Sequence, residues 1–99
     1  MAHQIANTKV QVEAARLLVY KAAWQLGRGR SSQLDAAIAK LFVSESLVAS
    51  ALRTVQVHGG YGYTTEYEVE RTLRDAVGST LYSGTSEVQR NIIARWLGL

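Results

Sequence analysis

The 99-residue chain contains no cysteine and no proline. The missing cysteine excludes disulfides and thiolate metal sites, and it fits a reducing compartment. The missing proline leaves nothing to break a helix from within, and frequent alanine favours helix further. Histidine occurs only at His3 and His58, with no H-E-x-x-H pattern, so no metal site is expected. No block of five like charges accompanies the net charge of +3, which argues against a nucleic-acid partner. No apolar run approaches the roughly 18 residues of a membrane span. Residues 1–6 lack the basic-then-apolar order of a signal peptide. The expectation is a soluble, cytoplasmic protein.

What is present is apolar and periodic. Hydrophobic residues make up 47% of the chain, too many for disorder. Ile5, Thr8, Val12, Ala15, Val19, Ala22 and Leu26 recur at three- and four-residue steps, predicting a helix over about residues 4–26 that Gly27 and Gly29 stop. A second helix is predicted from Ser32, with Asp35 completing a weak capping box. Its stripe is Leu34, Ile38, Leu41, Val48, Leu52 and Val55, and Glu45 falls inside it. Gly59, Gly60 and Gly62 are expected to end this helix and open a loop. A shorter helix is predicted over residues 66–77, with Thr65 and Glu68 as its capping box, and a last one over residues 85–97, carrying Val88, Ile92, Ile93 and Trp96. The fold class is therefore all-α, an antiparallel up-and-down bundle of about four helices in one domain, residues 1–99. A chain this short gains from further helices or other subunits to complete its core.

Glycine and hydroxyl residues concentrate in two stretches at helix edges, Gln56-Val-His-Gly-Gly-Tyr-Gly-Tyr63 and Leu81-Tyr-Ser-Gly-Thr-Ser-Glu-Val-Gln-Arg90. The first is neither a Walker loop nor a Rossmann fingerprint, because no Gly-Lys-Ser/Thr and no preceding strand are present. A helix cap with a turn, and a loop pressed against a cofactor, both remain open for it.

In order, Gln56-Val-His-Gly-Gly-Tyr-Gly-Tyr-Thr-Thr-Glu-Tyr67, Val69-Glu-Arg-x-x-Arg-Asp-Ala76 and Leu81-Tyr-x-Gly-Thr-Ser-Glu-Val-Gln-Arg-x-x-Ile-Ala-Arg95 closely resemble the C-terminal helical domain of acyl-CoA dehydrogenases. Ala15-Arg-Leu-Leu-Val-Tyr-x-Ala-Ala-Trp24 and Ala37-Ile-Ala-Lys-Leu-Phe42 resemble its preceding helices, so the likeness covers nearly the whole chain. The resemblance implies an FAD enzyme that oxidises an acyl-CoA thioester to the 2-enoyl-CoA and passes electrons to an electron-transfer flavoprotein. It also implies a homo-oligomer, with an N-terminal helical domain and a β-domain that this chain lacks. A chain without those parts is expected to be inactive alone and too small to hold FAD.

Residue by residue, the resemblance assigns Gln56, Val57, His58, Gly59 and Gly60 to the FAD of a neighbouring subunit. Thr85, Ser86 and Glu87 fall to the FAD of the same subunit, and Gly84 to the acyl-CoA thioester. Ser83 departs from the pattern: many members carry their catalytic glutamate base there. An unassisted hydroxyl is far too weak for that task, although the backbone N–H at this position is kept. Three accounts of Ser83 stay open: a base relocated to another helix, a flavoprotein that binds a thioester without dehydrogenating it or works beside an active paralogous subunit, and a degenerate change. Glu45 is a candidate substitute base, with Arg74 or Arg90 as candidate partners if it is structural instead. Arg71, Arg74 and Asp75 are expected to form an ion-pair network tying the short helix to its neighbours. Trp24 and Trp96 are expected as core or interface anchors, and Tyr61, Tyr63 and Tyr67 along the loop or a subunit interface. The alternative reading is a stand-alone, non-catalytic helical dimerisation module descended from the same family.

Overall fold

The computed structural model describes residues 1–99. It contains α1 (Ala2–Gly27), α2 (Gln33–His58), α3 (Gly60–Tyr63), α4 (Val69–Ser79) and α5 (Ser86–Trp96), with no strand. Helices α1 and α2 form the expected antiparallel hairpin. Near the turn Lys21 meets Asp35 at 3.4 Å, and further out Gln11 meets Ser50 at 3.1 Å and also Arg53, so rising numbers pair with falling ones. Helix α2 is the hub: α1, α3, α4 and α5 all pack on it, whereas α1 touches α2 alone.

The core is built from small residues. Ala37, Ala39 and Ala51 of α2 and Ala76 of α4 are buried, joined by Ser44, Ser79, Ser86 and Gln89, and no large side chain is fully enclosed. Small side chains let the helix backbones approach closely but bury little apolar area each. The face predicted for α1 is only half covered: Thr8, Ala15 and Ala22 are partly buried, while Ile5, Val12, Val19 and Leu26 stay 44–67% exposed. On α5 the buried positions are Ser86 and Gln89, not the apolar Val88.

Three local expectations are corrected. Ser32 is the N-cap of α2, but its side chain makes no capping bond; the Ser32 carbonyl accepts from the Ala36 N–H instead. Helix α4 starts three residues later than expected, with Glu68 as N-cap and no Thr65–Glu68 box. The glycine stretch is not an open loop. Gly59 ends α2 at φ 62°, ψ −143°, and the chain then makes the single helical turn α3. Gly62 is buried there, and a Cβ on it would lie 2.8 Å from the Val55 carbonyl oxygen, so α3 folds back onto α2 only with glycine at this place.

The network expected of Arg71, Arg74 and Asp75 does not form either. Arg74 pairs with Glu70 at 3.2 Å within its own helix, and Arg71 and Asp75 form no ion pair. Trp24 and Trp96 are 57% and 49% exposed, which excludes a core role within this chain. Trp24 lies under the Arg28 guanidinium, and Trp96 Nε1 donates to Gln33 Oε1 at 3.2 Å.

Candidate functional site: the turn between α4 and α5

Residues 80–85 carry the chain from α4 into α5. Ser83 has φ 55° and Gly84 φ 90°, so two consecutive residues are left-handed, and Ser83 is the chain's only non-glycine residue with positive φ. That conformation costs a side-chain-bearing residue about 1–2 kcal/mol. Something must hold it, and two side chains do. Lys40, half-buried on α2, donates from Nζ to the Ser79 and Gly84 carbonyls, both at 2.8 Å. Gln89 on α5 points its amide Nε2 back at the Ser83 and Gly84 carbonyls, at 3.5 and 3.4 Å. Gly84 leaves room for that amide, since a Cβ here would stand 2.6 Å from Gln89 Nε2.

The consequence lies on the other side of each peptide. No peptide bond here is cis, so each N–H points opposite to its carbonyl. With the Ser83 and Gly84 carbonyls drawn inward, the Gly84 and Thr85 N–H groups turn outward. No hydrogen bond within the chain uses the N–H of Ser83, Gly84 or Thr85. Thr85 is the N-cap of α5, its hydroxyl accepting from the Val88 N–H at 3.2 Å.

Ser86 adds an unsatisfied group. Three serines are buried; Ser44 and Ser79 return their hydroxyls to carbonyls of their own helices, at 2.7 and 2.6 Å. Ser86 opens α5, where the preceding turn offers no helical carbonyl, and its Oγ is buried with no partner. Such a group costs roughly 1–3 kcal/mol unless a ligand or water meets it. Ser86 and Glu87 line a cleft of about 400 Å³, together with Val48, Leu52, Val77 and Leu81. Glu45 also reaches this cleft, but it is exposed and paired with Arg90 at 2.8 Å, so Arg90 rather than Arg74 is its partner.

The two glycine-rich stretches are not brought together. Ser83 to Glu87 sit beside residues 40–52 of α2. Gln56, Val57 and His58 form the last turn of α2, and Gly59 and Gly60 follow it, all exposed. At about 1.5 Å per residue, Lys40 and Gln56 are about 24 Å apart along the helix. His58 Nδ1 lies 2.8 Å from the Thr54 carbonyl of its own helix. Tyr61 and Tyr67 meet edge-to-face at 5.7 Å, and Tyr61, Tyr63 and Tyr67 are all exposed. No cluster of three metal-ligating side chains occurs, and no helix is long and apolar enough to cross a membrane.

Lys40 and Gln89 hold this turn, and sequence reasoning missed both. A signal for Lys40 was available: positions 36, 37, 43 and 44 are Ala, Ala, Val and Ser, so this lysine has no acid at i±3 or i±4 to pair with.

The all-helical architecture, with unpaired N–H donors in the turn before α5, defines a helical-bundle domain. The acyl-CoA dehydrogenase C-terminal domain model matches residues 1–98, and the chain belongs to that family. An L-prolyl-[peptidyl-carrier protein] dehydrogenase of Pseudomonas fluorescens is 42% identical over the whole chain, which spans 26% of that protein. The caffeyl-CoA reductase-Etf complex subunit CarC of Acetobacterium woodii is 42% identical over 98% of this chain and 26% of its own length. Among solved structures, butyryl-CoA dehydrogenase from Megasphaera elsdenii superposes with a TM-score of 0.93 at 43% identity, over 99% of this chain and 26% of that one. The FAD complex of PigA gives 0.92 at 37%, with the same coverage. The chain thus spans about a quarter of the length of these relatives.

Proposed function

We propose that these residues are the C-terminal bundle of an FAD-dependent oxidoreductase that converts an acyl thioester to its 2-enoyl thioester. The carrying observation is the α4–α5 turn, where three consecutive N–H groups have no partner within the chain and are followed by the buried, unpartnered hydroxyl of Ser86, which lines a cleft. These groups fit a cofactor rich in hydroxyl and phosphate oxygens. Bound FAD supplies the hydride acceptor. Thr85, Ser86 and Glu87 would hold it in the same subunit, and the exposed Gln56, Val57, His58, Gly59 and Gly60 would meet the FAD of a second subunit. Their separation along α2 supports two different cofactor contacts rather than one.

Gly84 would lie against the thioester, with the Ser83 N–H as a donor to its carbonyl oxygen. The Ser83 hydroxyl is not the base in this proposal; the α-proton goes to a carboxylate in a part of the polypeptide outside residues 1–99. Glu45 is set aside because its carboxylate is already paired with Arg90. The domains that complete the acyl pocket, an electron-transfer flavoprotein as acceptor, a homo-oligomeric assembly and a cytoplasmic setting belong to the same proposal. The relatives' names leave two thioester carriers in play, coenzyme A and a peptidyl carrier protein.

The test uses the longest natural polypeptide that contains these residues. It is expected to purify yellow with FAD and to bleach anaerobically with an acyl-CoA or a carrier-bound acyl thioester. Ser83→Ala is expected to keep most of the activity. A protein that cannot be loaded with FAD refutes the proposal, and complete loss in Ser83→Ala refutes the relocated base.

The exposed apolar side chains of α1, among them Val10, Leu17, Tyr20 and Trp24, favour a second reading, a helical dimerisation module. A concentration-dependent dimer of a natural protein without flavin would support it.

A further inference from the structure

We propose that Lys40 is a positioning residue: from α2 it fixes the α4–α5 turn so that the Gly84 and Thr85 N–H groups stay aimed at a bound oxygen. This rests on the flavoenzyme reading above and adds to it a residue that itself touches no ligand.

Ser79 is the last residue of α4, so its carbonyl is one of the orphans at that helix end, where a cation is favoured. Lys40 Nζ takes this carbonyl and the Gly84 carbonyl together, and the Tyr82 ring lies 5.8 Å from the same ammonium. One charged group therefore joins the end of α4, the turn and the residue before the N-cap of α5. Every other hydrogen bond to the Ser83 and Gly84 carbonyls is a long one from Gln89. A charge-assisted bond to one side of a peptide also strengthens the donor on the other side, so the Gly84 contact acts on the Thr85 N–H. Replacing this cation leaves two left-handed residues, Ser83 and Gly84, without their main constraint.

The turn would then move by a fraction of an ångström to an ångström. Displacement on that scale costs up to about 100-fold in rate when the displaced groups orient a reacting centre. Binding of the thioester, which draws on the whole pocket, changes less. The signature is a split between kcat and KM, which loss of general stability does not produce.

The experiment uses the FAD-loaded, full-length protein. Lys40→Met is expected to lower kcat about 10- to 100-fold with KM for the thioester within about threefold of the parent, and to shift the flavin absorption band. Lys40→Arg keeps a cation with several donors and is expected to recover most of that loss. Should Lys40→Met fail to fold, Gln89→Met decides on the same split, with a smaller loss of about three- to tenfold. A parent that binds no FAD overturns the flavoenzyme reading and this inference with it. An active parent whose folded variants keep kcat within about twofold, or lose kcat and KM binding together, overturns this inference alone.

Discussion

Substituting Gly84 by alanine probes the turn at its tightest place. Two costs add. The backbone at φ 90° lies where a Cβ is penalised by about 1–2 kcal/mol. The new Cβ would also stand 2.6 Å from Gln89 Nε2, so the amide must leave. Gln89 is 7% exposed and has little room to retreat, and its two long bonds to the Ser83 and Gly84 carbonyls go with it. At about 0.5–1 kcal/mol each, these add about 1–2 kcal/mol. The expected loss is therefore about 2–4 kcal/mol. Gly29→Ala is the control, because Gly29 has φ 71° with nothing within 4 Å of an added Cβ, leaving only the backbone cost of about 1–2 kcal/mol. Urea denaturation followed by the helical circular dichroism signal measures both. Removing the obstacle sharpens the test: in a Gln89→Ala background, Gly84→Ala should cost no more than the control, a coupling of about 1–2 kcal/mol. Equal losses for Gly84→Ala and Gly29→Ala in the parent would refute the steric argument.

Two further outcomes follow from named contacts. The Glu13 carboxyl is held below its usual range by a hydrogen bond from Lys9, then by the Lys9 charge, with Arg16 a smaller contribution. A depressed carboxyl stabilises the fold above its unfolded pKa, and that contribution is lost as pH falls through the folded pKa, so it disappears on the acid side of the ordinary carboxylate range. Lys9→Met should move the Glu13 midpoint up toward the ordinary value in an NMR titration, and an unmoved midpoint would refute the pairing. Ser86→Ala removes an unpartnered buried hydroxyl, so stability should stay level or rise by up to about 1 kcal/mol while FAD retention by the full-length protein falls. A clear loss of stability would mean the hydroxyl has a partner within the fold.

The fold was legible where periodicity and punctuation agreed. Gly27 and Gly29 mark the end of α1, and α5 begins at Ser86, one residue after the expected start at Thr85. The start of α4 was misplaced because Thr65 and Glu68 match a capping box in spacing, yet the chain between α3 and α4 turns before the helix begins. On α5 Ile92 and Ile93 are half-buried as expected, but Val88 and Trp96 stay exposed and an amide, Gln89, takes the buried side to serve the turn before it. In the site, the resemblance singled out residues 83–87 of the turn. What holds the turn was not legible: the partners of Lys40 lie 39 and 44 positions away, and a lysine in a helix reads as solvent-facing until the topology folds α4 and α5 over it.

The hub role of α2 has a consequence for amide exchange. Helix α1 touches nothing but α2 and contains no buried residue. It can therefore open without disturbing α4, α5 or the turn between them, whereas opening α2 strips every other helix of its support. The chain should divide into two exchange units, with α1 amides exchanging through a low-energy local opening and those of α2 around Ala37, Ser44 and Ala51 only through global unfolding. The turn between α4 and α5 stays tied to the second unit through the Lys40 and Gln89 bonds to its carbonyls, so a momentary opening of the first helix leaves its shape in place.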